Sequence, residues 1–249
     1  MCGRFILTTP IEALAEIFGF SERPNLAPRH NIAPTQLVAA VRSGEDGVRH
    51  LAVLRWGLVP FWAKDTSIGA RMINARGESV AEKPAFRAAF RHRRCLIPAD
   101  GFYEWKKAPD GGKQPFLIRR PSGGAFAFAG LWESWEDQDS GELLESCSII
   151  TTEANATLEP IHHRMPVILD EAGRAEWLAP GSERGRELQA LLKPAADDLL
   201  EAFPVSRAVN KVANDGPELL EPVPLPEETA GQTAKTGQTA GKKTQGELF

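Results

Sequence analysis

The 249-residue sequence predicts an α+β fold, mainly antiparallel β, in which a partly closed, barrel-like sheet carries peripheral helices. Three observations lead to this fold class. Segments with strand-like composition outnumber helical ones. Most of them are joined by short connections that contain Gly, Pro or Asp. The strands also do not alternate with helices, as they would in a doubly wound parallel sheet.

The first two predicted elements are a short strand, CGRFILT, and a helix, TPIEALAEIFGF. In the helix we expect Thr9 as the N-cap, Pro10 at the first helical position and Glu12 completing a capping box. Gly19 follows the last apolar residue and predicts the helix end.

A hairpin comes next, because QLVAAVR and VRHLAVLRW are β-rich and SGEDG between them is a turn sequence. Two phenylalanines four residues apart then predict a helix in KPAFRAAFRHRR. The remaining strand candidates are CLIPADGFYEWKK, QPFLIRR, AFAFAGLW, LLESCSIITT and a last strand FPVSRAV, and the remaining helix candidates are DEAGRAEWL and ERGRELQALL.

The composition divides the chain once. Residues 1–225 contain no segment of linker composition, so we predict one domain there. Residues 226–249 are rich in Thr, Gly, Gln and Lys and are predicted to be a disordered tail. Its only large apolar residues are Leu248 and Phe249, which is compatible with either a docking peptide or a frayed end.

The number of cysteines and the hydropathy of the sequence indicate the compartment of the protein. The three cysteines Cys2, Cys95 and Cys147 are too few and too scattered for a disulfide framework or a CxxC metal site. We therefore expect a reducing, cytoplasmic compartment, with no metal and no cofactor. No apolar run approaches the ~20 residues that span a bilayer, and the N-terminus lacks the pattern of a signal peptide.

The net charge of −4 conceals an asymmetry. Residues 71–120 carry 12 Lys and Arg against 5 Asp and Glu, whereas residues 131–203 carry 5 against 16. A locally basic middle can bind a polyanion through one face of an acidic protein, or it can be a solvated surface without a partner.

Cys2 is the most reactive side chain near the start of the chain. Removal of Met1 would leave an α-amine and a thiol on one residue, with unperturbed pKa values near ~8 and ~8.5. The amine can condense with an aldehyde to an imine, and the thiol can then close a five-membered thiazolidine. The same pair could instead attack acyl groups, and a Cys2 without any role is the third interpretation.

Four further polar residues accompany Cys2. Asn74 and Arg76 face the same side of an extended segment. Glu104 lies between two aromatic residues, where loss of solvent would raise the pKa of its carboxyl and suit it to proton transfer. His162 precedes His163; in an extended chain the two rings point in opposite directions, so a shared metal is not expected.

In order along residues 1–220, the chain resembles the SRAP family of abasic-site processing proteins, which shield damaged single-stranded DNA. The resemblance is carried by MCGRF, HNIAPTQ, RWGLVPFW, MINARGES, RRCLIPADGFYEW, ITTEAN, IHHRMPVIL and PVSRAVN. It implies that Met1 is lost and that Cys2 crosslinks the C1′ aldehyde of an abasic site. It also implies that Asn74 holds the Cys2 amine or the sugar, that Glu104 shuttles protons and that His162 protonates a sugar oxygen; His163 receives no role.

The same motifs supply expected DNA ligands, with Arg4, Arg76 and Arg164 contacting phosphates. Phe61 and Trp62 would stack beside the lesion, whereas Trp56 is expected in the core. We therefore expect the partner to be single-stranded DNA with an abasic site, or a junction between single and double strand, bound by a monomeric, nucleoid-associated protein. Gln245, Leu248 and Phe249 resemble a bacterial sliding-clamp peptide. The alternatives are an N-terminal nucleophile hydrolase or autopeptidase, a glutamine amidotransferase-like enzyme, and a nonenzymatic DNA-binding module in which Cys2 has no role.

Overall fold

The computed structural model describes residues 2–180 and 185–225. Its strands are β1 Phe5–Leu7, β2 Arg29–Ile32, β3 Leu37–Ser43, β4 Arg49–Trp56, β5 Asn74–Arg76, β6 Arg94–Ala99, β7 Gly101–Lys107, β8 Lys113–Arg119, β9 Phe126–Glu136, β10 Leu143–Glu153, β11 Arg164–Pro166, β12 Ile168–Leu169 and β13 Glu201–Pro204. Its α-helices are α1 Ile11–Phe18, α2 Arg87–His92, α3 Glu171–Leu178 and α4 Gly185–Ala190.

Five strands close into a barrel in the order β10-β4-β3-β6-β9, with β9 returning to β10. All these pairings are antiparallel except β10 with β4. A second, five-stranded sheet has the order β13-β8-β7-β1-β2 and is entirely antiparallel. The predicted α+β class with a barrel-like sheet is therefore confirmed.

An aromatic cluster joins the second sheet to the barrel. The ring of Phe5 in β1 lies 5.1 Å from the ring of Trp56 in β4 and 5.9 Å from that of Phe128 in β9. Phe102 in β7 also contacts Phe128 edge-on at 5.9 Å. Trp56 is fully buried, as predicted. These contacts fix the first strand of the chain against the rigid barrel wall.

The predicted β3–β4 hairpin is confirmed, with antiparallel pairing from Leu37 opposite Arg55 to Ser43 opposite Arg49. Helix α1 ends as predicted at Gly19, whose φ of 74° is in the left-handed region.

The predicted N-cap of α1 is wrong, because Pro10 occupies that position and provides no side-chain cap. The side chain of Thr9 instead donates to the Asp100 carboxylate, which also accepts the Thr9 backbone N–H at 2.8 Å. A partner 91 residues away therefore replaces the local capping box.

The predicted last strand, FPVSRAV, is wrong in its second half. Strand β13 ends at Pro204, and Ser206 then caps a 3₁₀ turn, Arg207–Asn210, by accepting the Ala208 N–H at 3.2 Å. The candidate clamp peptide, with Gln245, Leu248 and Phe249, lies outside the described residues. None of the helices in residues 2–180 and 185–225 has the length and apolar character needed to cross a membrane.

Candidate active site

The second sheet positions Cys2. Strand β1 lies between β7 and β2, with Phe5 opposite Phe102, and the Tyr103 N–H donates to the Arg4 carbonyl at 2.9 Å. This pairing continues the sheet to the start of the described chain. Cys2 is fully buried there, whereas chain termini are usually mobile and exposed.

Asn74 holds Cys2 from the barrel side. It begins β5, which pairs in parallel with β10, and Asn74 lies opposite Ile149. The Asn74 Nδ2 donates a hydrogen bond of 2.7 Å to the Cys2 carbonyl oxygen. The Asn74 Oδ1 is buried and has no hydrogen-bond partner within the described residues, so this side chain presents an acceptor to a ligand.

Glu104 lies on β7 beside the start of the chain, with only 3% of its surface exposed. Burial raises the pKa of its carboxyl, in the direction predicted from its aromatic neighbours. Burial also raises the pKa of the Cys2 thiol, and the nearby Glu104 charge raises it further. Both effects favour the neutral thiol over the thiolate in the described chain.

His162 lies in a turn and not in an extended segment, so the predicted opposite orientation of the two histidine rings is wrong. The rings of His162 and His163 stack, with centroids 4.5 Å apart and an interplanar angle of 26°. The His162 Nδ1 lies 3.0 Å from the Arg164 backbone nitrogen and 3.2 Å from the Arg164 carbonyl oxygen, so the neutral ring can accept from the first with its proton on Nε2 or donate to the second with its proton on Nδ1. Burial lowers the pKa of His162, favouring that neutral form.

Lys113 is a residue that the sequence reasoning missed. After the larger effect of burial on each group, its ammonium lowers the pKa of both Glu104 and His162. One cation is thus close enough to act on both predicted proton-transfer groups. Nothing in its surroundings in the sequence indicated this, because Lys113 precedes an ordinary strand pattern.

Two of the three predicted phosphate ligands have internal partners. Arg164 forms a bidentate ion pair with Glu78, at 2.5 and 2.9 Å, and donates to the Thr151 carbonyl at 2.7 Å. Arg4 donates to the Asn31 Oδ1 at 2.6 Å, and it also bonds a backbone carbonyl at 2.7 Å. Glu78 was missed in the sequence, although it follows the INAR segment closely.

Arg76, the third predicted phosphate ligand, ends β5 two residues after Asn74 and is exposed. Within the described residues its guanidinium makes no hydrogen bond or ion pair, so it is available to an anion. Arg76 therefore faces solvent beside the site, whereas Arg4 and Arg164 hold together the segments that form the site.

The predicted stacking residues lie on the loop between β4 and β5. Phe61 is 60% exposed and Trp62 is 49% exposed, which agrees with the prediction that Trp62 is at the surface. The loop is held by a 2.7 Å hydrogen bond from the Trp135 indole to the Ala63 carbonyl. It then returns to the site at Asn74.

The three cysteines are free and buried. Across residues 2–180 and 185–225, no group of three or more His, Cys, Asp or Glu side chains is arranged to hold a metal ion. The arrangement around Cys2 instead combines a nucleophile, a raised-pKa carboxyl and a neutral imidazole, which suits proton-coupled covalent chemistry.

Comparison with known proteins gives a consistent result. The sequence model of the family described as SOS response associated peptidase (SRAP) matches residues 1–212. The chain is 45% identical over 224 residues to the abasic site processing protein YoqW of Bacillus subtilis (strain 168), covering 89% of this chain and 99% of YoqW. It is 34% identical over 207 residues to the abasic site processing protein HMCES of Gallus gallus, covering 74% and 61%.

Solved structures agree with the sequence comparisons. An X-ray structure of a Bacteroides thetaiotaomicron protein superimposes with a TM-score of 0.81 at 28% identity, covering 89% of this chain and 100% of that one. A Bordetella bronchiseptica protein gives a TM-score of 0.70 at 25% identity, covering 82% and 100%. The family match extends over most of the described chain, and the chain therefore belongs to the SOS response associated peptidase (SRAP) family.

Proposed function

We propose that this protein processes abasic sites in single-stranded DNA by forming a covalent thiazolidine through Cys2. The proposal is supported by relatives named abasic site processing proteins. The observation that carries it is the hydrogen bond from Asn74 to the Cys2 carbonyl, which fixes Cys2 beside the Glu104 carboxyl. A glutamine amidotransferase activity has no comparable support, since the family match lies elsewhere.

The reaction requires that Met1 is removed, which frees the Cys2 α-amine. The ring-opened deoxyribose of an abasic site carries an aldehyde at C1′. The amine nitrogen bonds to C1′ to give a carbinolamine, which loses water to form an imine. The Cys2 sulfur then bonds to C1′ and the thiol proton passes to the nitrogen, so that the net products are a thiazolidine and one water molecule.

Glu104 is the proposed proton carrier between these steps. A buried thiol cannot ionise readily, so the attack on the imine needs a base close to the sulfur. A carboxylate with a raised pKa accepts that proton more readily than an ordinary glutamate and returns it to nitrogen. His162 is the proposed hydrogen-bond donor to the sugar oxygens, in the neutral form that carries its proton on Nε2 while Nδ1 accepts the Arg164 N–H.

The DNA strand is proposed to lie across the exposed edge of the site. Arg76 would bind a phosphate, and Phe61 and Trp62 would stack on bases next to the lesion. Such stacking is worth about 1–3 kcal/mol per base and does not depend on sequence. A site without a base also lacks the stacking and pairing that otherwise oppose extrusion of a nucleotide.

The test is a crosslinking assay on single-stranded DNA with one abasic site, analysed on denaturing gels. The native protein should give a product that survives heat without reduction. Cys2→Ala keeps the α-amine and should give only an imine, which appears on the gel after borohydride reduction. A heat-stable, unreduced product from Cys2→Ala would contradict the thiazolidine.

Asn74→Asp provides a matched probe of the same site. The aspartate keeps the shape of the side chain but replaces the donor to the Cys2 carbonyl with an acceptor. We expect the crosslinking rate to fall at least tenfold, because a hydrogen bond worth about 1 kcal/mol becomes a repulsion. An unchanged rate would remove Asn74 from the proposed machinery.

The closeness of the Glu104 carboxyl to the Cys2 thiol, whose proton it could accept, also supports a second candidate activity, self-removal of residues before Cys2. The Cys2 sulfur would attack the preceding carbonyl carbon while the thiol proton passes to the Cys2 nitrogen, so that a thioester forms and the peptide bond breaks. Water would then hydrolyse the thioester, which releases the preceding residues as a carboxylic acid and restores the thiol. A chain extended by several residues before Cys2 should then shorten itself to Cys2, as read by intact mass. The same extended chain with Glu104→Gln should stay intact, and equal shortening of both would exclude this activity.

A further inference from the structure

A row of basic side chains on α2 and the turn before it is not used by the proposed chemistry. Lys83, Arg87 and Arg91 are exposed, and we call them the basic stripe. Across the helix, Phe90 is buried and its ring lies 5.9 Å from the ring of Trp177. The helix is thus anchored on the barrel by one side and presents cations on the other.

The stripe has a regular spacing. The Arg87 N–H donates to the Lys83 carbonyl at 2.9 Å, which closes a helical turn, and Arg91 follows one turn later. Residues four apart share a helix face and are displaced by about 6 Å along the axis. Arg87 and Arg91 therefore lie one turn apart on one face of α2, and Lys83 lies in the turn before it, so the three cations follow one another along the surface and suit a linear array of anions.

Neighbouring cations on the same segment are already used within the protein. Arg93 pairs with Glu133 at 2.7 Å, and Arg94 is buried with its guanidinium on backbone carbonyls. By contrast, no stripe residue forms an ion pair within residues 2–180 and 185–225. Glu82 is the adjacent acid in the sequence, but it lies off the row of residues four apart.

The stripe also continues from the edge of the candidate site. Arg76 ends β5, a 3₁₀ turn occupies Gly77–Ser79, and the Lys83 N–H donates to the Ser79 carbonyl at 3.0 Å. An exposed cation at the site is therefore followed by three more on the next surface element of the chain.

We propose that the basic stripe binds the phosphates of the DNA strand flanking the lesion, outside the reactive site. This inference rests on the proposed function for the presence of DNA. It adds a second contact region that supplies affinity without reading sequence or taking part in the chemistry. A strand that extends beyond the site on the stripe side gains these contacts, whereas a short oligonucleotide does not.

The test compares Arg87→Gln/Arg91→Gln with a charge-matched control, Arg23→Gln/Lys193→Gln, whose residues are exposed elsewhere. Binding of a lesion-free 25-nucleotide single strand is measured by fluorescence anisotropy across a range of salt concentrations. The slope of log K against log salt should fall by about 1.4 in the stripe variant, since each single-strand phosphate contact contributes about 0.7. The control should keep the native slope.

A second arm separates the stripe from the chemistry. The stripe variant should crosslink an abasic site in a five-nucleotide strand at the native rate, and Arg87→Lys/Arg91→Lys should restore the native salt slope. Equal slopes in the native and stripe proteins would overturn the proposal, as would an equal fall in the control. If neither the native protein nor any variant crosslinks a strand, the proposed function fails. The anisotropy data still test whether the basic stripe binds DNA.

Discussion

At the scale of single residues, burial disfavours the ionised form of both proposed reactive groups. The thiol of Cys2 and the carboxyl of Glu104 are removed from solvent, which raises the pKa of both, and the Glu104 charge raises the pKa of the thiol further. One proton moving between them leaves the total charge unchanged. Such an arrangement favours proton transfer within the pair and costs the folded state stability when the carboxyl is ionised.

That cost predicts a pH-dependent gain of stability in Glu104→Gln. The folded protein holds the Glu104 proton more tightly than the unfolded chain does, because its folded pKa is raised. The stabilising contribution of this group is therefore complete below the unfolded pKa of about 4.3 and is lost as the pH rises through the raised value. In thermal melts, the unfolding temperature of the variant relative to that of the native protein should rise between pH 4 and pH 8. A difference in unfolding temperature that stays constant with pH would contradict the burial argument.

Arg76 and Arg164 should behave differently when truncated. Arg76→Ala removes an exposed cation that makes no hydrogen bond or ion pair within the described residues and acts on Glu78 only through its charge. It should therefore leave the unfolding temperature nearly unchanged and lower the salt slope of DNA binding by about 0.7. Arg164→Ala breaks bonds to Glu78 and Thr151 and should lower the unfolding temperature. Anisotropy and thermal melts check both, and an unchanged slope in Arg76→Ala would count against its phosphate role.

At the scale of elements, the placement of β1 decides whether a site exists. It is only three residues long, yet it pairs on both edges and packs Phe5 between the two sheets. Cys2 lies three residues before this strand, so the packing of β1 against the barrel restricts the position of the proposed nucleophile. A terminal residue would otherwise be too mobile to hold a reactive geometry.

Two phenylalanines test this dependence. Phe5→Ala should destabilise the fold by about 3–5 kcal/mol, the usual cost of deleting a buried aromatic ring, and should slow crosslinking as well. Phe61→Ala, at an exposed position, should leave the stability unchanged and weaken noncovalent binding to DNA. Denaturant melts and anisotropy separate the two effects; equal stability of both variants would contradict the role given to the aromatic cluster.

Elements defined by neighbouring residues were predictable, and those defined by distant partners were not. The β3–β4 hairpin and the end of α1 follow from local patterns and a glycine. The cap of α1 was mispredicted because the Thr9 hydroxyl donates to Asp100, a residue that only the tertiary fold brings close, and not to the helix backbone. The stacked His162 and His163 were missed because a turn, not a strand, precedes Arg164.

At the scale of the whole molecule, the site residues come from widely separated segments that the two sheets bring together. The resemblance in sequence indicated Cys2, Asn74, Glu104 and His162, but spacing alone could not show that they converge. Lys113 and Glu78 act through space on groups far along the chain, so no local signal marks them. Their charges became apparent only from the folded arrangement.

The predicted division into a domain over residues 1–225 and a tail over 226–249 gives a whole-molecule test. A chain that ends at Leu225 should keep the native unfolding temperature and crosslinking rate, because the described core lies within it. Recovery of the bacterial sliding clamp in a pull-down should be lost on deleting only the last five residues. Equal recovery of the clamp by the full chain and by the chain without its last five residues would contradict the docking hypothesis.

The position of β1 between β7 and β2 also affects when the start of the chain becomes buried during synthesis. Its first residues leave the ribosome early, but its partner β7 begins only at Gly101. At about 5–20 residues per second, the nascent chain offers its leading end to an aminopeptidase for roughly 5–20 s before that partner exists. Under the proposed function, the removal of Met1 that frees the Cys2 amine would have to occur before the sheet is complete, and slowing translation ahead of codon 101 should raise the processed fraction.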